Sequence, residues 1–215
     1  MAKVVVFGVT GYAGGHITAE LVARGHEVLG VARDVSKAPE GGATREGSIF
    51  DAALVREVAQ GADQIVVALP ARATTEGGPL LIESLPNLVE VSIAEGARLS
   101  FVGGAGSLKV SEDGPQLFHT PEFPEEFKGE ALPHGAILDA LRESDEALQW
   151  FYVSPAGSFG SWNPGERTGV FRLGGDVLLA DANGDSSISG ADLAIAYVDE
   201  IEQAAHPRAR FTVAY

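Results

Sequence analysis

Near the N-terminus a run of β-branched residues, Lys3 to Phe7, passes straight into Gly8-Val9-Thr10-Gly11-Tyr12-Ala13-Gly14, and a helical pattern follows from Ala13 to Ala23. Three glycines at this spacing, between a strand and a helix, leave few folds open. The first permits a tight turn, and the second lets backbone N–H groups at the helix N-terminus approach an anionic group. The third lets the helix lie close on the sheet. A chain built this way starts on a βαβ crossover and holds the pyrophosphate of a dinucleotide over the turn. The alternative is a glycine-rich turn without a ligand.

The rest of the chain extends the alternation. Glu27 to Ala32 reads as a second strand, Ala43 to Ile49 as a weaker third, Ala52 to Gln60 as a helix, and Gln64 to Leu69 as a fourth strand. Gly25 caps the first helix. Helical material from Pro79 to Glu95, interrupted at Pro86, leads to a strand at Leu99 to Val102, and residues 105 to 132 read as loop. A helix from about Pro133 to Ala147, a strand from Gln149 to Ser154, a hairpin from Arg167 to Ala180 through Gly174 and Gly175, a helix opened by Ser189, and a terminal strand Arg210 to Val213 complete the pattern. The expectation is a doubly wound α/β fold with a mostly parallel sheet and helices on both faces. It forms a single domain over residues 1–215, with a small C-terminal cap over the ligand cleft.

Composition narrows the function. With 215 residues, 45% of them hydrophobic, the chain can bury one sizeable core. No apolar run reaches the ~18 to 20 residues of a membrane span, so the expectation is a soluble, cytoplasmic protein with no membrane partner. Cysteine is absent, which excludes a thiolate nucleophile and a cysteine-ligated metal. A formal net charge of -15 would repel a phosphate backbone and argues against nucleic acid as a partner. An anionic cofactor must therefore be met by local dipoles and individual arginines.

About 20 residues past the glycine turn, where NAD-binding folds place an acid on the ribose, stand Arg33 and then Asp34. A guanidinium matches a 2′-phosphate and favours NADPH over NADH. An exposed Arg33 paired with Asp34 is the competing reading. One further pattern, Asp181-x-Asn183-x-Asp185-x-Ser187-x-Ser189-x-x-Asp192, spaces oxygen ligands like an EF-hand loop. Its sixth position is Ser rather than Gly and its twelfth is Asp rather than Glu. A polar turn followed by a capping-box variant, Ser189 with Asp192, explains the same residues, so no metal site is expected.

The glycine spacing, Val102-Gly103-Gly104-Ala105-Gly106-Ser107-Leu108, Pro164-Gly165-Glu166-Arg167-Thr168-Gly169 and Ile188-Ser189-x-x-Asp192-Leu193-Ala194 together carry a family likeness. The chain resembles the atypical short-chain dehydrogenase/reductases with NmrA-like NAD(P)H-binding domains. Within them it is most similar to the NADH-flavin reductases, with biliverdin-IXβ/flavin reductase more distant. The resemblance implies a Rossmann-like fold binding NADP(H), or NAD(H). Carried over by position, it puts Gly8, Thr10, Gly11, Tyr12, Ala13 and Gly14 around the phosphates, Arg33 at the adenosine phosphate, and Ser48 and Ile49 beside the adenine. Ala68, Leu69 and Pro70 would line the nicotinamide-ribose side. Gly103, Gly104 and Ala105 would lie beneath the nicotinamide, with Pro155 and Phe159 flanking it.

The family's usual Tyr-x-x-x-Lys after the fifth strand is missing: His134 and Leu138 come nearest to that spacing, and Tyr152 and Tyr197 have no lysine four residues on. Ser107 and His134 remain as the polar catalytic candidates, although a serine that caps or turns the loop and a surface histidine at a helix start are the favoured readings of the two. The leading expectation is an NADPH-dependent reductase passing hydride to a flavin, quinone or similar conjugated small molecule, the flavin being substrate rather than prosthetic group. A catalytically silent NADP(H)-binding regulator or redox sensor of NmrA type is the alternative, and an epimerase or dehydratase the third. The protein would act as a monomer or homodimer.

Overall fold

The computed structural model describes residues 1–215. Eight strands form one sheet: β1 (Lys3–Phe7), β2 (Glu27–Ala32), β3 (Ala43–Glu46), β4 (Gln64–Val67), β5 (Arg98–Val102), β6 (Trp150–Pro155), β7 (Arg172–Gly174) and β8 (Ala209–Ala214). They lie in the order β3-β2-β1-β4-β5-β6-β8-β7, parallel throughout except that β7 runs antiparallel to β8. Five helices connect them: α1 (Tyr12–Ala23), α2 (Ala52–Ala59), α3 (Leu85–Glu95), α4 (Glu125–Arg142) and α5 (Gly190–Gln203).

The central strands, β-branched in β1 and β4 and aromatic in β6, are buried on both faces, as a parallel sheet covered by helices requires. One face packs Val5, Phe7 and Ile65 against Leu54 of α2, Leu88 of α3 and Leu138 of α4. The other packs Val4, Val6 and Val66 against Ile17 and Leu21 of α1 and Leu193 and Tyr197 of α5. This is the doubly wound, Rossmann-like architecture. Its strand order reverses between β1 and β4, and a crevice opens beyond the carboxyl ends of the strands at that point.

Several local expectations are corrected. α4 begins at Glu125, eight residues before Pro133, and ends at Arg142 rather than Ala147. Glu125 and Glu126 occupy its first turn, where acids suit the helix dipole, and Pro133 sits inside the helix. The buried face of Ala131, His134, Ile137, Leu138 and Leu141 outweighs the one backbone hydrogen bond that a proline removes. The expected hairpin does not form: Leu173 pairs with Val213 of β8, and the chain beyond it turns to Lys109, which donates to Asp176 O at 2.8 Å and accepts from Leu178 N–H at 2.9 Å. Pro86 does mark a break, since a single 3₁₀ turn, Leu81–Ser84, precedes α3 and the proline falls in the first turn of α3.

Candidate cofactor and active site

The glycine turn is built as its spacing demands. Gly8 has φ +90°, and a Cβ there would lie 2.2 Å from Ala68 O, so only glycine lets β1 turn this close to the end of β4. A Cβ on Gly14 would lie 2.1 Å from Gly8 O, so this residue sets how closely α1 approaches the turn. Gly30 of β2 plays the same part for Val9, whose side chain fills the place of the missing Cβ. Gly11 differs. Its φ of -78° suits any residue, and its nearest neighbour would be Gly8 O at 3.2 Å. Gly11 is the N-cap of α1, with no side-chain cap and no acid in the first turn, whereas Asp51 caps α2 and Ser189 caps α5. A helix N-terminus left uncapped beside a cleft suits an anion.

A cleft of about 690 Å³ opens at the carboxyl ends of β1, β2 and β4. Gly8, Thr10, Gly11, Arg33, Ser48, Ile49, Ala68, Leu69 and Pro70 all line it. Among the lining residues that sequence reasoning missed are Lys37, Arg72 and Phe50. The cations were legible in hindsight, one four residues after Arg33 and one just past β4, whereas Phe50 carries no signal beyond following Ile49. Arg33 Nη1 lies 3.5 Å from Thr74 Oγ1. Asp34 does not pair with Arg33. Its carboxylate accepts from Ser36 N–H at 2.9 Å, and this bond holds its pKa below the usual carboxylate range. Three cations thus line the cleft, in a chain of strongly negative net charge.

The other expected site residues lie outside that cleft lining. Gly103 is filled from behind, because a Cβ there would fall 1.9 Å from Tyr152 Cζ. A Cβ on Gly104 would meet only His134 Cδ2, at 3.8 Å. Pro155 is buried at the end of β6. The Phe159 ring lies 5.4 Å from that of Tyr12, and the Tyr12 hydroxyl donates to Pro164 O and accepts from Gly190 N–H. Tyr12 therefore ties its side chain to the C-terminal part of the chain, at Pro164 and Gly190.

Ser107 does lie in a turn, as the loop-turning reading had it, whereas His134 is not the surface histidine at a helix start. Ser107 is buried and its Oγ accepts from Arg210 Nη1 at 2.9 Å. His134 is 5% exposed, inside α4 rather than at its start, with Nε2 3.1 Å from Glu130 Oε1. Tyr152 and Tyr197 are wholly buried, and desolvation pushes both phenols upward, so neither loses its proton readily.

The model of the NAD(P)H-binding family matches residues 8–204, from the first glycine of the turn to the end of α5. The chain belongs to the NAD(P)H-binding family. It is 38% identical over 218 residues to the uncharacterized protein YwnB of Bacillus subtilis, covering 98% of this chain and 97% of that one. A solved structure from Streptococcus pneumoniae, titled a "putative NADH-flavin reductase", is 34% identical with a TM-score of 0.89, over 100% of this chain and 99% of that one. A "putative epimerase" from Bacteroides thetaiotaomicron is 30% identical with a TM-score of 0.86, over 100% and 97%.

In this NAD(P)H-binding protein the C-terminal cap is tied down firmly. Asp192 is fully buried and accepts from Thr168 N–H, Thr168 Oγ1, Gly169 N–H and the Tyr215 hydroxyl. Burial pushes its pKa up, but the bonds from Gly169 and Thr168 prevail and hold it below the usual range. Only half of the expected capping box is present: Ser189 Oγ accepts from Asp192 N–H, while the Asp192 carboxylate turns to the cap. That carboxylate is thereby drawn away from the EF-hand-like arrangement. Asp181 accepts from Asn183 N–H and Asp185 N–H, which makes this stretch a polar turn. Arg167 of the cap pairs with Glu20 of α1 at 2.6 Å. These ties, invisible in spacing, fix the segment 164–169 to α1 and α5.

Proposed function

We propose that this NAD(P)H-binding protein is an NADPH-dependent reductase that passes hydride to a flavin, quinone or similar flat conjugated acceptor. The observation that carries the cofactor half is the convergence of the uncapped α1 N-terminus with Arg33, Lys37 and Arg72 on one cleft. A pyrophosphate fits over Gly11, whose absent Cβ leaves room, and a 2′-phosphate fits among the cations, where charge-assisted hydrogen bonds favour it over a hydroxyl. Bound there, NADPH supplies the hydride.

The acceptor half rests on the missing acid. Tyr152, Tyr197, Ser107 and His134 are all buried, and Ser107 and His134 are engaged with Arg210 and Glu130. Chemistry that needs a tyrosine–lysine proton donor, such as alcohol oxidation or sugar epimerisation, lacks its usual agent. Reduction of a flavin or quinone is less demanding, because the acceptor exchanges protons with water and the protein mainly orients two flat rings. The same lack of a reachable acid favours a second reading, a catalytically silent NADP(H)-binding regulator. Following NADPH absorbance anaerobically with FMN, riboflavin and a small quinone separates them. Turnover above background is expected with at least one. Firm NADPH binding without any acceleration would replace the reductase with the regulator.

A further inference from the structure

After β4 the chain runs through a loop that supplies Arg72, Thr74, Thr75 and Pro79 to the cleft wall. Most of its residues are exposed, so its position depends on how its base is held. One tie is backbone to backbone, with Leu81 N–H donating to Ala71 O at 3.1 Å. Leu80 N–H donates to Glu83 Oε1 at 2.7 Å and Thr74 Oγ1 lies 3.5 Å from Arg33 Nη1, and three further contacts converge on one side chain of α4. Ala71 N–H and Arg72 N–H donate to the Glu130 carboxylate at 2.8 and 3.3 Å, and Arg72 Nε lies 3.3 Å from it.

Glu130 is itself held from below. His134, one helical turn on, lies with Nε2 3.1 Å from Glu130 Oε1. A carboxylate only accepts, so the imidazole carries its hydrogen on Nε2 and directs it at Glu130. The ring cannot swing away readily. It is buried, its Nδ1 has no partner, and the Tyr152 hydroxyl donates to the His134 carbonyl at 3.1 Å. A buried ring with one satisfied nitrogen is costly to keep. Orienting Glu130 accounts for its presence here.

We propose that Glu130, oriented by His134, is a positioning residue that latches the 71–80 loop as one wall of the cofactor cleft. The inference rests on the cleft being the NAD(P)H site, but the latch also has a signature in the ligand-free protein. Without the carboxylate the Ala71 and Arg72 amides lose their acceptor and the loop samples open positions. Cofactor binding must then order it first, which lowers the apparent affinity by the fraction of time the wall is in place.

The test measures backbone amide exchange in the free full-length protein, and NADP⁺ affinity by calorimetry, in Glu130→Ala, Glu130→Gln, His134→Leu and His134→Gln. In Glu130→Ala, exchange across 71–80 should rise about tenfold to a hundredfold, the range expected for loss of hydrogen bonds to a charged group. NADP⁺ affinity should fall in parallel, while protection in Gly190–Gln203 of α5 stays unchanged. Glu130→Gln keeps the shape and should give a smaller change of the same sign, which serves if the alanine variant fails to fold. His134→Leu should loosen the same amides, and His134→Gln, which still donates, should restore part of their protection. Unchanged exchange at 71–80 overturns the latch, as does loosened exchange with unchanged NADP⁺ affinity. Absence of NADP⁺ binding by the unmodified protein would instead overturn the reading of the cleft, and the exchange measurement would still decide the latch.

Discussion

The glycines of the turn divide into those the fold needs and one that the proposed cofactor site needs, and alanine substitution separates them. On Gly14 the new Cβ would sit 2.1 Å from Gly8 O, about 1 Å inside the closest approach real side chains make. Both partners are backbone, so α1 must move, and overpacking of this kind costs about 1–3 kcal/mol. At about 2–4 °C per kcal/mol for a chain of this size, the Tm should drop by roughly 2 to 12 °C. On Gly11 the Cβ would sit 3.2 Å from Gly8 O at an ordinary φ of -78°, and that neighbour need yield only a few tenths of an ångström. The poorer N-cap costs up to about 1 kcal/mol, offset by about 0.4–1 kcal/mol from a stiffer unfolded chain. Stability should hardly change. In the proposed binding mode the same methyl would stand where the pyrophosphate meets the backbone. Losing two charge-assisted hydrogen bonds at about 1.5–3 kcal/mol each weakens binding at least about a hundredfold. Thermal melts and calorimetry with NADP⁺ read both effects. Full affinity in Gly11→Ala, or an unchanged Tm in Gly14→Ala, would refute the division.

Further outcomes follow from other contacts. NADPH should bind more tightly than NADH, and Arg33→Ala should remove about tenfold or more of the difference, as charge-assisted bonds to a phosphate imply; equal affinities in the unmodified protein would contradict this. Asp192→Asn should destabilise the protein by about 3–5 kcal/mol, the range for breaking a buried charged network, with the melting temperature as the measure. Asp192 has a lowered folded pKa, so its contribution is complete above the unfolded value of about 4 and is lost as pH falls through the lower folded one. Melts between pH 7 and pH 3 should therefore decline at the acid end, and less steeply in Asp192→Asn; parallel profiles would sink the assignment. Gly103→Ala should fold poorly because its Cβ would enter the Tyr152 ring, whereas Gly104→Ala, with only His134 at 3.8 Å, should fold normally. Circular dichroism distinguishes them, and slower turnover in folded Gly104→Ala would place the nicotinamide beside it.

The sequence by itself determined the first βαβ unit, the parallel sheet and the cofactor class. These follow from signals a few residues long: a β-branched run, three glycines and a basic residue after the second strand, each acting through backbone geometry that any such chain shares. It also located part of the cleft wall, since Gly8, Arg33, Ser48 and Ala68 stand at strand ends whose place in a parallel sheet is set by the order of the elements. Only the tertiary structure decided the rest. The start of α4 at Glu125 depends on a face buried against the sheet, which overrode a proline that read as a beginning. Ser107 and His134 carry the right chemistry, but Arg210 and Glu130 engage them; no spacing announces a partner 103 residues from Ser107, and reading 105 to 132 as loop hid the i,i+4 spacing of Glu130 and His134. The cap tied by Asp192 and the cleft wall tied by Glu130 likewise depend on hydrogen bonds between distant segments. Local sequence encodes which conformations a segment prefers, whereas the direction of a buried side chain is set by what is packed around it.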